Sequence, residues 1–260
     1  MATTTQHKGK AVLFGINYLA TPSAALQGCI NDVKNMAVYL QTTYKMPVVA
    51  YTDDITPADT SAQGILRRLY ELALQSYSEN LDYVWIHYSG HGSYMRDTSR
   101  DERDGKDECL VPSDFMTAGL VKDDVINSLF RHFNPKTRII AIFDCCHSGT
   151  ICDVKYSWEG PKIVKIENIS CTVPCKVISI SGCLDTQTSA DAYDVMKDGK
   201  WAGAMTACLL AVLVENPAIR KDVFALVAAL RTKLKERKFS QVPLLCTTHN
   251  LSRDRTFLPL

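Results

Sequence analysis

The sequence predicts an α/β fold with a mainly parallel central sheet flanked by helices on both faces. Short β-branched runs recur along its 260 residues and alternate with segments of helical spacing. The runs are apolar at successive positions, the pattern of strands buried between two helix layers. With 46% apolar and 22% charged residues, a chain of this length suits one large core better than two small ones.

A short polar segment, 1–9, precedes a single domain, 10–260. The strands are expected at 11–16, 47–51, 82–88, 138–143, 176–180 and 243–247, and the helices at 28–43, 61–78, 122–132, 202–215 and 222–238. Ile65, Leu69, Leu72 and Leu74 give the second helix an apolar stripe, which is core. Residues 93–106 are polar and charged, and 152–174 mix Gly, Pro, Lys and Ser. Both are expected to be irregular, mobile connections.

The formal net charge of +1 gives no field for nucleic acid or an acidic membrane surface. The first ten residues lack the apolar core of a signal peptide, and the apolar stretch 204–214, interrupted by Thr206, is too short to span a bilayer. A cytoplasmic protein, with the nucleus as an alternative, is expected. The ten cysteines are scattered through apparent core segments, as at Cys29, Cys109, Cys183, Cys208 and Cys246, and read as small buried hydrophobes. No C-x-x-C pair occurs, and Cys171 and Cys175 lack a matching second pair, so a structural zinc site is not expected.

The chemistry concentrates in two loops. The run Ile139-Ile140-Ala141-Ile142-Phe143 ends in Asp144-Cys145-Cys146-His147-Ser148-Gly149, which puts a thiol at the carboxyl end of a buried strand. A thiol needs a base or a positive field to act as a nucleophile. His91, framed by Gly90 and Gly92 after the strand 82–88, is the best base. His87 lies within that strand as a packed core histidine, His132 falls late in a helix, and His147 adjoins the nucleophile and points elsewhere. Strand alternation puts Asp144 and Cys146 on one face and Cys145 on the other. Cys146 is therefore the nucleophile and Cys145, facing the other way, a plain filler. A nucleotide-binding α/β protein is a weak rival, since the chain lacks both phosphate-loop glycine motifs.

The blocks His87-Tyr88-Ser89-Gly90-His91-Gly92 and Asp144-Cys145-Cys146-His147-Ser148-Gly149 together resemble a metacaspase, of the caspase-like clan of cysteine peptidases. The separation of His91 and Cys146 agrees with the clan's spacing. Family-like stretches at 28–32, 104–108, 112–115, 181–191 and 203–206 extend the likeness from about Lys10 onward. It implies a caspase-like fold, Cys146 as nucleophile, His91 as general base and acid, and the amides of Gly92 and Cys146 as the oxyanion hole. It shows no third member of a triad. The core is of a minimal type I kind, without a Pro/Gln-rich leader or a long internal insertion, and a monomer is expected.

Asp144 lies two residues before the nucleophile on its face, where caspases carry a glutamine. The resemblance adds Asp32 and Ser89 as pocket neighbours, with Cys29 lining the site. Two carboxylates and a hydroxyl suit an arginine fork or a lysine ammonium, so protein or peptide substrates cut after Arg or Lys are expected. The acidic run 101–108 fails the EF-hand pattern. By resemblance, Asp107, Asp123 and Asp124, with the Lys122 carbonyl, hold an activating Ca²⁺, and Asp153 falls where the family has an acidic residue linked to calcium response. Lys155, Lys162 and Lys165 match the expected specificity and are candidate self-cleavage sites. The rival of another class is a non-catalytic caspase-like scaffold in stress response or protein quality control, opposed by the intact His91 and Cys146.

Overall fold

The computed structural model describes residues 7–96, 106–145, 151–168, 170–182, 191–193 and 201–258. The strands are β1 (Gly9–Gly15), β2 (Val48–Thr52), β3 (Tyr83–Ser89), β4 (Gly92–Arg96), β5 (Lys106–Leu110), β6 (Val121–Lys122), β7 (Arg138–Asp144), β8 (Tyr156–Glu159), β9 (Lys162–Ile166), β10 (Lys176–Ser181), β11 (Asp191–Tyr193), β12 (Trp201–Gly203) and β13 (Leu244–Thr247). The helices are α1 (Cys29–Tyr44), α2 (Ala62–Ser78), the single turn α3 (Phe115–Ala118), α4 (Asp123–Phe130), α5 (Ala204–Glu215) and α6 (Val223–Glu236).

Among the described residues the main sheet runs β2-β1-β3-β7-β10-β13-β8-β9. Its first five strands are parallel, and β13 pairs antiparallel with β10 and with β8. This is the caspase-like α/β architecture that the resemblance implies. The expected strands and helices all form, with ends shifted by a few residues at most. Their doubly apolar runs are explained by period-2 alternation between two cores. Leu13, Trp85, Ile140 and Ile142 pack on one face with Met36, Leu209 and Leu230, while Phe14, Ile86, Ile139 and Phe143 pack on the other with Leu69 and Phe130.

Helix starts follow local chemistry. The Ser61 hydroxyl accepts the Gly64 N–H, and the Asp222 carboxylate accepts those of Phe224 and Ala225. Asn17 Oδ1 receives the Cys29 N–H at 3.1 Å at the start of α1.

Two expectations are corrected. Residues 152–174 are not simply irregular: 156–166 form the hairpin β8–β9, which extends the main sheet beyond β13. Tyr156, Trp158, Ile163 and Ile166 flank a Gly160-Pro161 turn, with Gly160 at φ 55°, and this is hairpin chemistry. Within 93–106, the described residues up to Arg96 belong to β4, which pairs with β5 in a small sheet completed by β6. Residues 97–105 lie outside the described part.

Candidate active site

The carboxyl ends of β1, β3 and β7 lie side by side, with Gly15 opposite Ser89 and Ser89 opposite Asp144. The chain leaves β1 for β2 on one side and later returns to β3 on the other. That is the kind of crevice where open α/β sheets bind ligands.

His91 stands two residues beyond β3. The Gly90 N–H, just before it, donates to the Asp144 carbonyl at 3.3 Å. The imidazole Nε2 lies 2.8 Å from the carbonyl oxygen of Ala24, in the short 3-10 turn Pro22–Ala24. A carbonyl can only accept, so this nitrogen carries the proton and Nδ1 is left as the basic atom. The main chain of His91 is held too. Its N–H donates to the Tyr18 hydroxyl at 2.7 Å, and its carbonyl accepts from the Tyr88 hydroxyl at 2.9 Å. The Tyr18 ring lies against the imidazole, with centroids 4.7 Å apart.

Cys146, the expected nucleophile, and His147 lie outside the described residues. Cys145 is fully buried in the core cluster that also contains Tyr88 and Phe143, as strand alternation predicts. His87 is a core histidine: its Nε2 meets Thr206 Oγ1 at 3.0 Å, and complete burial drives its pKa down to about 3. His132 follows α4 and meets Tyr70 edge-on at 5.6 Å.

The expected pocket residues converge. Asp32, in the first turn of α1, is 1% exposed and accepts the Ser89 hydroxyl at 2.6 Å. The Gly203 N–H also reaches it, at 2.9 and 3.0 Å from the two carboxylate oxygens. Asp144, 3% exposed, accepts the Thr206 N–H at 2.8 Å. Both carboxylates thus meet backbone donors at the amino end of α5, where orphan N–H groups and the helix dipole favour negative charge. Cys29 is buried at the start of α1, three residues before Asp32. Gly92 opens β4 opposite Leu110.

The expected metal ligands gather where β5 and β6 lead into α4. Asp107 and Asp123 are almost wholly buried. The Lys122 ammonium forms an ion pair with Asp107, while Asp123 accepts the N–H groups of Glu108 at 3.2 Å and Asp124 at 2.9 Å. Among the described residues no group of three or more His, Cys, Asp or Glu side chains surrounds one point. The donor set is hard oxygen, which fits Ca²⁺ chemically, with the Lys122 ammonium supplying the positive charge at Asp107. Asp153 is held separately. It lies at φ 43°, with its carboxylate on the Asn168 amide and its carbonyl on the Asn127 amide at 2.7 Å.

Tyr18, Ala24, Tyr88, Gly203 and Thr206 escape the reading of sequence. Ala24 contributes only a carbonyl, which no side-chain pattern reveals. Tyr88, Gly203 and Thr206 at least lie inside family-like blocks, which was the available signal.

Known proteins resemble this chain in sequence and in fold. Residues 9–155 match the family model of the metacaspase peptidase C14 domain. Metacaspase-3 of Trypanosoma brucei brucei is 35% identical over 268 residues, covering 95% of this chain and 73% of the relative. Metacaspase-1B of Aspergillus oryzae is 31% identical, covering 96% and 70%. A crystal structure of a Geobacter sulfurreducens protein matches with a TM-score of 0.65 at 24% identity, over 97% of both chains. Caspase-1 from Spodoptera frugiperda matches at 0.59 and 14% identity, over 97% of this chain and 90% of that one, which supports the fold. By the family model and by these relatives, the chain belongs to the metacaspases, a family of cysteine peptidases.

Proposed function

We propose that the chain is a calcium-dependent cysteine endopeptidase that cuts protein or peptide substrates after arginine or lysine, with Cys146 as nucleophile and His91 as general base and acid. One observation carries the specificity: two nearly fully buried carboxylates, Asp32 and Asp144, lie against Gly203 beside the Ser89 hydroxyl. Removed from water, such a pair favours a cationic side chain and penalises an acidic one. Cys29 would line the same pocket.

In the proposed course, His91 Nδ1 takes the Cys146 thiol proton and the thiolate attacks the scissile carbonyl. The N–H groups of Gly92 and Cys146 receive the developing oxyanion. The proton on His91 passes to the leaving amine as the C–N bond breaks, and a thioester forms on Cys146. Water, deprotonated by His91, then releases the acid and restores the thiol. The Ala24 carbonyl takes the orienting part that a triad carboxylate plays elsewhere, by holding Nε2–H.

Asp107, Asp123 and Asp124, with the Lys122 carbonyl, would hold Ca²⁺. The ion would supply charge neutralisation to two buried carboxylates. Self-cleavage is assigned to Lys162 in preference to Lys155 or Lys165. Lys162 is exposed beside the hairpin turn, whereas Lys165 pairs with Glu167 and Lys155 lies over the Tyr156 ring. The enzyme is read as a cytoplasmic or nuclear monomer. No helix among the described residues is long and apolar enough to cross a membrane.

The deciding experiment compares hydrolysis of peptide amides ending in Arg, Lys or Asp, with Ca²⁺ or chelator, in the native chain and in Cys146→Ala. Calcium-dependent Arg/Lys turnover, absent from the variant, is expected. Turnover after Asp would overturn the pocket assignment. A folded chain without any turnover would favour the scaffold role.

A further inference from the structure

We propose that Tyr18 and Tyr88 form a phenol clamp that positions two parts of the catalytic machinery, Tyr18 the His91 base and Tyr88 the Gly92 oxyanion donor. The proposal rests on the reading of His91 as base and of the Gly92 N–H as part of the oxyanion hole.

The two hydroxyls lie 3.2 Å apart and converge on one backbone carbonyl, Val111 O, at 2.7 Å from Tyr18 and 2.8 Å from Tyr88. Each phenol has one proton. Tyr18 accepts the His91 N–H, so its own proton goes to Val111 O, its nearest acceptor. The Tyr88 hydroxyl has two acceptors in reach, Val111 O at 2.8 Å and His91 O at 2.9 Å; with Val111 O already taking the Tyr18 proton, that of Tyr88 goes to His91 O, a carbonyl that also accepts the Val111 N–H at 3.2 Å. Both sides of His91 are thereby fixed, the amide by one phenol and the carbonyl by the other. Burial raises the pKa of both phenols well above the ordinary value, so neither ionises at working pH.

Two local features fit this arrangement. Tyr18 adopts φ 57°, a left-handed conformation that a bulky residue seldom takes, and it does so while almost completely buried. Gly90 has no room for a side chain: a Cβ there would stand 2.8 Å from the Tyr88 hydroxyl and 3.0 Å from that of Tyr18.

The link to the oxyanion donor comes from peptide geometry. In a trans peptide the C=O and N–H point in opposite directions. The His91 carbonyl is drawn toward Tyr88 and Val111, so the N–H of the same peptide, that of Gly92, is aimed the opposite way. The strand register agrees. Gly92 faces Leu110 while the ladder bond runs from Val111 N–H to His91 O, so the Gly92 N–H points away from β5.

The test uses Tyr18→Phe and Tyr88→Phe in the full chain. Each keeps its ring and loses only the hydroxyl, and folding is checked by melting temperature. Three quantities are read: kcat and KM on an arginine peptide amide, the pH profile of Cys146 alkylation by iodoacetamide followed by mass spectrometry, and affinity for an arginine-ended peptide aldehyde, whose adduct oxygen occupies the oxyanion position. Tyr18→Phe is expected to lower kcat about 10- to 100-fold with KM little changed, the loss typical of a misplaced catalytic group, and to shift the alkylation profile to higher pH. Tyr88→Phe is expected to weaken aldehyde binding by the same factor as it lowers kcat/KM, with the alkylation profile unmoved. Wild-type kcat in both folded variants would overturn the clamp. So would losses of kcat that leave both the alkylation profile and aldehyde affinity unchanged. The His91→Ala variant separates the two readings. If it leaves the alkylation profile at wild type, the assignment of His91 fails; if it moves the profile and Tyr18→Phe does not, the clamp fails.

Discussion

Asp32 and Asp144 come from the first turn of α1 and the end of β7, yet both press on the backbone of Gly203. A Cβ at Gly203 would lie 2.5 Å from an Asp32 oxygen and 2.3 Å from an Asp144 oxygen. The pocket proposed for a basic side chain therefore depends on a residue with no side chain.

Gly203→Ala should damage this pocket without straining the backbone, because Gly203 sits at φ −64° and ψ 133°, which alanine adopts readily. The cost is overpacking, about 1–3 kcal/mol. The expected result is a fall of roughly 5- to 150-fold in kcat/KM on arginine amides, larger than any effect on iodoacetamide alkylation of Cys146. Steady-state kinetics beside an alkylation rate measure the two.

Asp32→Asn and Asp144→Asn keep an acceptor for the Gly203 and Thr206 N–H groups and remove the charge. Hydrogen bonds to charged groups contribute about 1.5–3 kcal/mol, so each variant should lose about 10- to 100-fold in kcat/KM on Arg and Lys substrates. The loss should fall mainly on KM. Unchanged KM in both variants would show that the cation binds elsewhere.

Acid should weaken the fold through two histidines. Burial lowers His87 to about 3 and His249 to about 4, against about 6.5 in an unfolded chain. Between those limits the unfolded state holds more protons, so stability is complete above about pH 6.5 and falls as pH drops toward 4. The slope is up to about 1.4 kcal/mol per pH unit for each histidine. Urea midpoints of Cys146→Ala at pH 7, 6 and 5 should show the fall, and adding His249→Asn should make it shallower.

Lys122→Met leaves the buried Asp107 carboxylate without its ammonium partner. Breaking a fully buried pair costs about 3–5 kcal/mol, and Lys122 still reaches solvent, so about 1–3 kcal/mol is expected here. In the Cys146→Ala background the melting temperature should drop by several degrees in chelator, and Ca²⁺ should raise it more than it does with Lys122 present. A calcium shift that is the same with and without Lys122 would separate the ion from Asp107.

Self-cleavage, followed by mass spectrometry of the native chain with Ca²⁺, should stop at one position. Lys162→Ala is expected to leave the chain intact. Lys165→Ala, at a lysine held by Glu167 within β9, should still be cut.

The layered α/β fold is legible in the sequence, because strand and helix periodicities are local and strong. Leu13 and Phe14 go to opposite cores, as do Ile139 and Ile140, and that alternation is written in adjacent residues. The same rule put Cys145 in the core. The hairpin β8–β9 was obscured because its two short strands sit in a stretch, 152–174, otherwise rich in Gly, Pro, Lys and Ser, and its strand character is completed by pairing with the distant β13. What surrounds His91 and the proposed pocket is set by packing across the chain. The Tyr18 hydroxyl, the Ala24 carbonyl and the Gly203 N–H reach their partners across sequence separations of 73, 67 and 171 residues. Two of those three groups belong to the main chain, a carbonyl that every residue carries and an N–H that every residue but proline carries. Their roles arise from where packing sets the backbone, and no residue type announces that in advance.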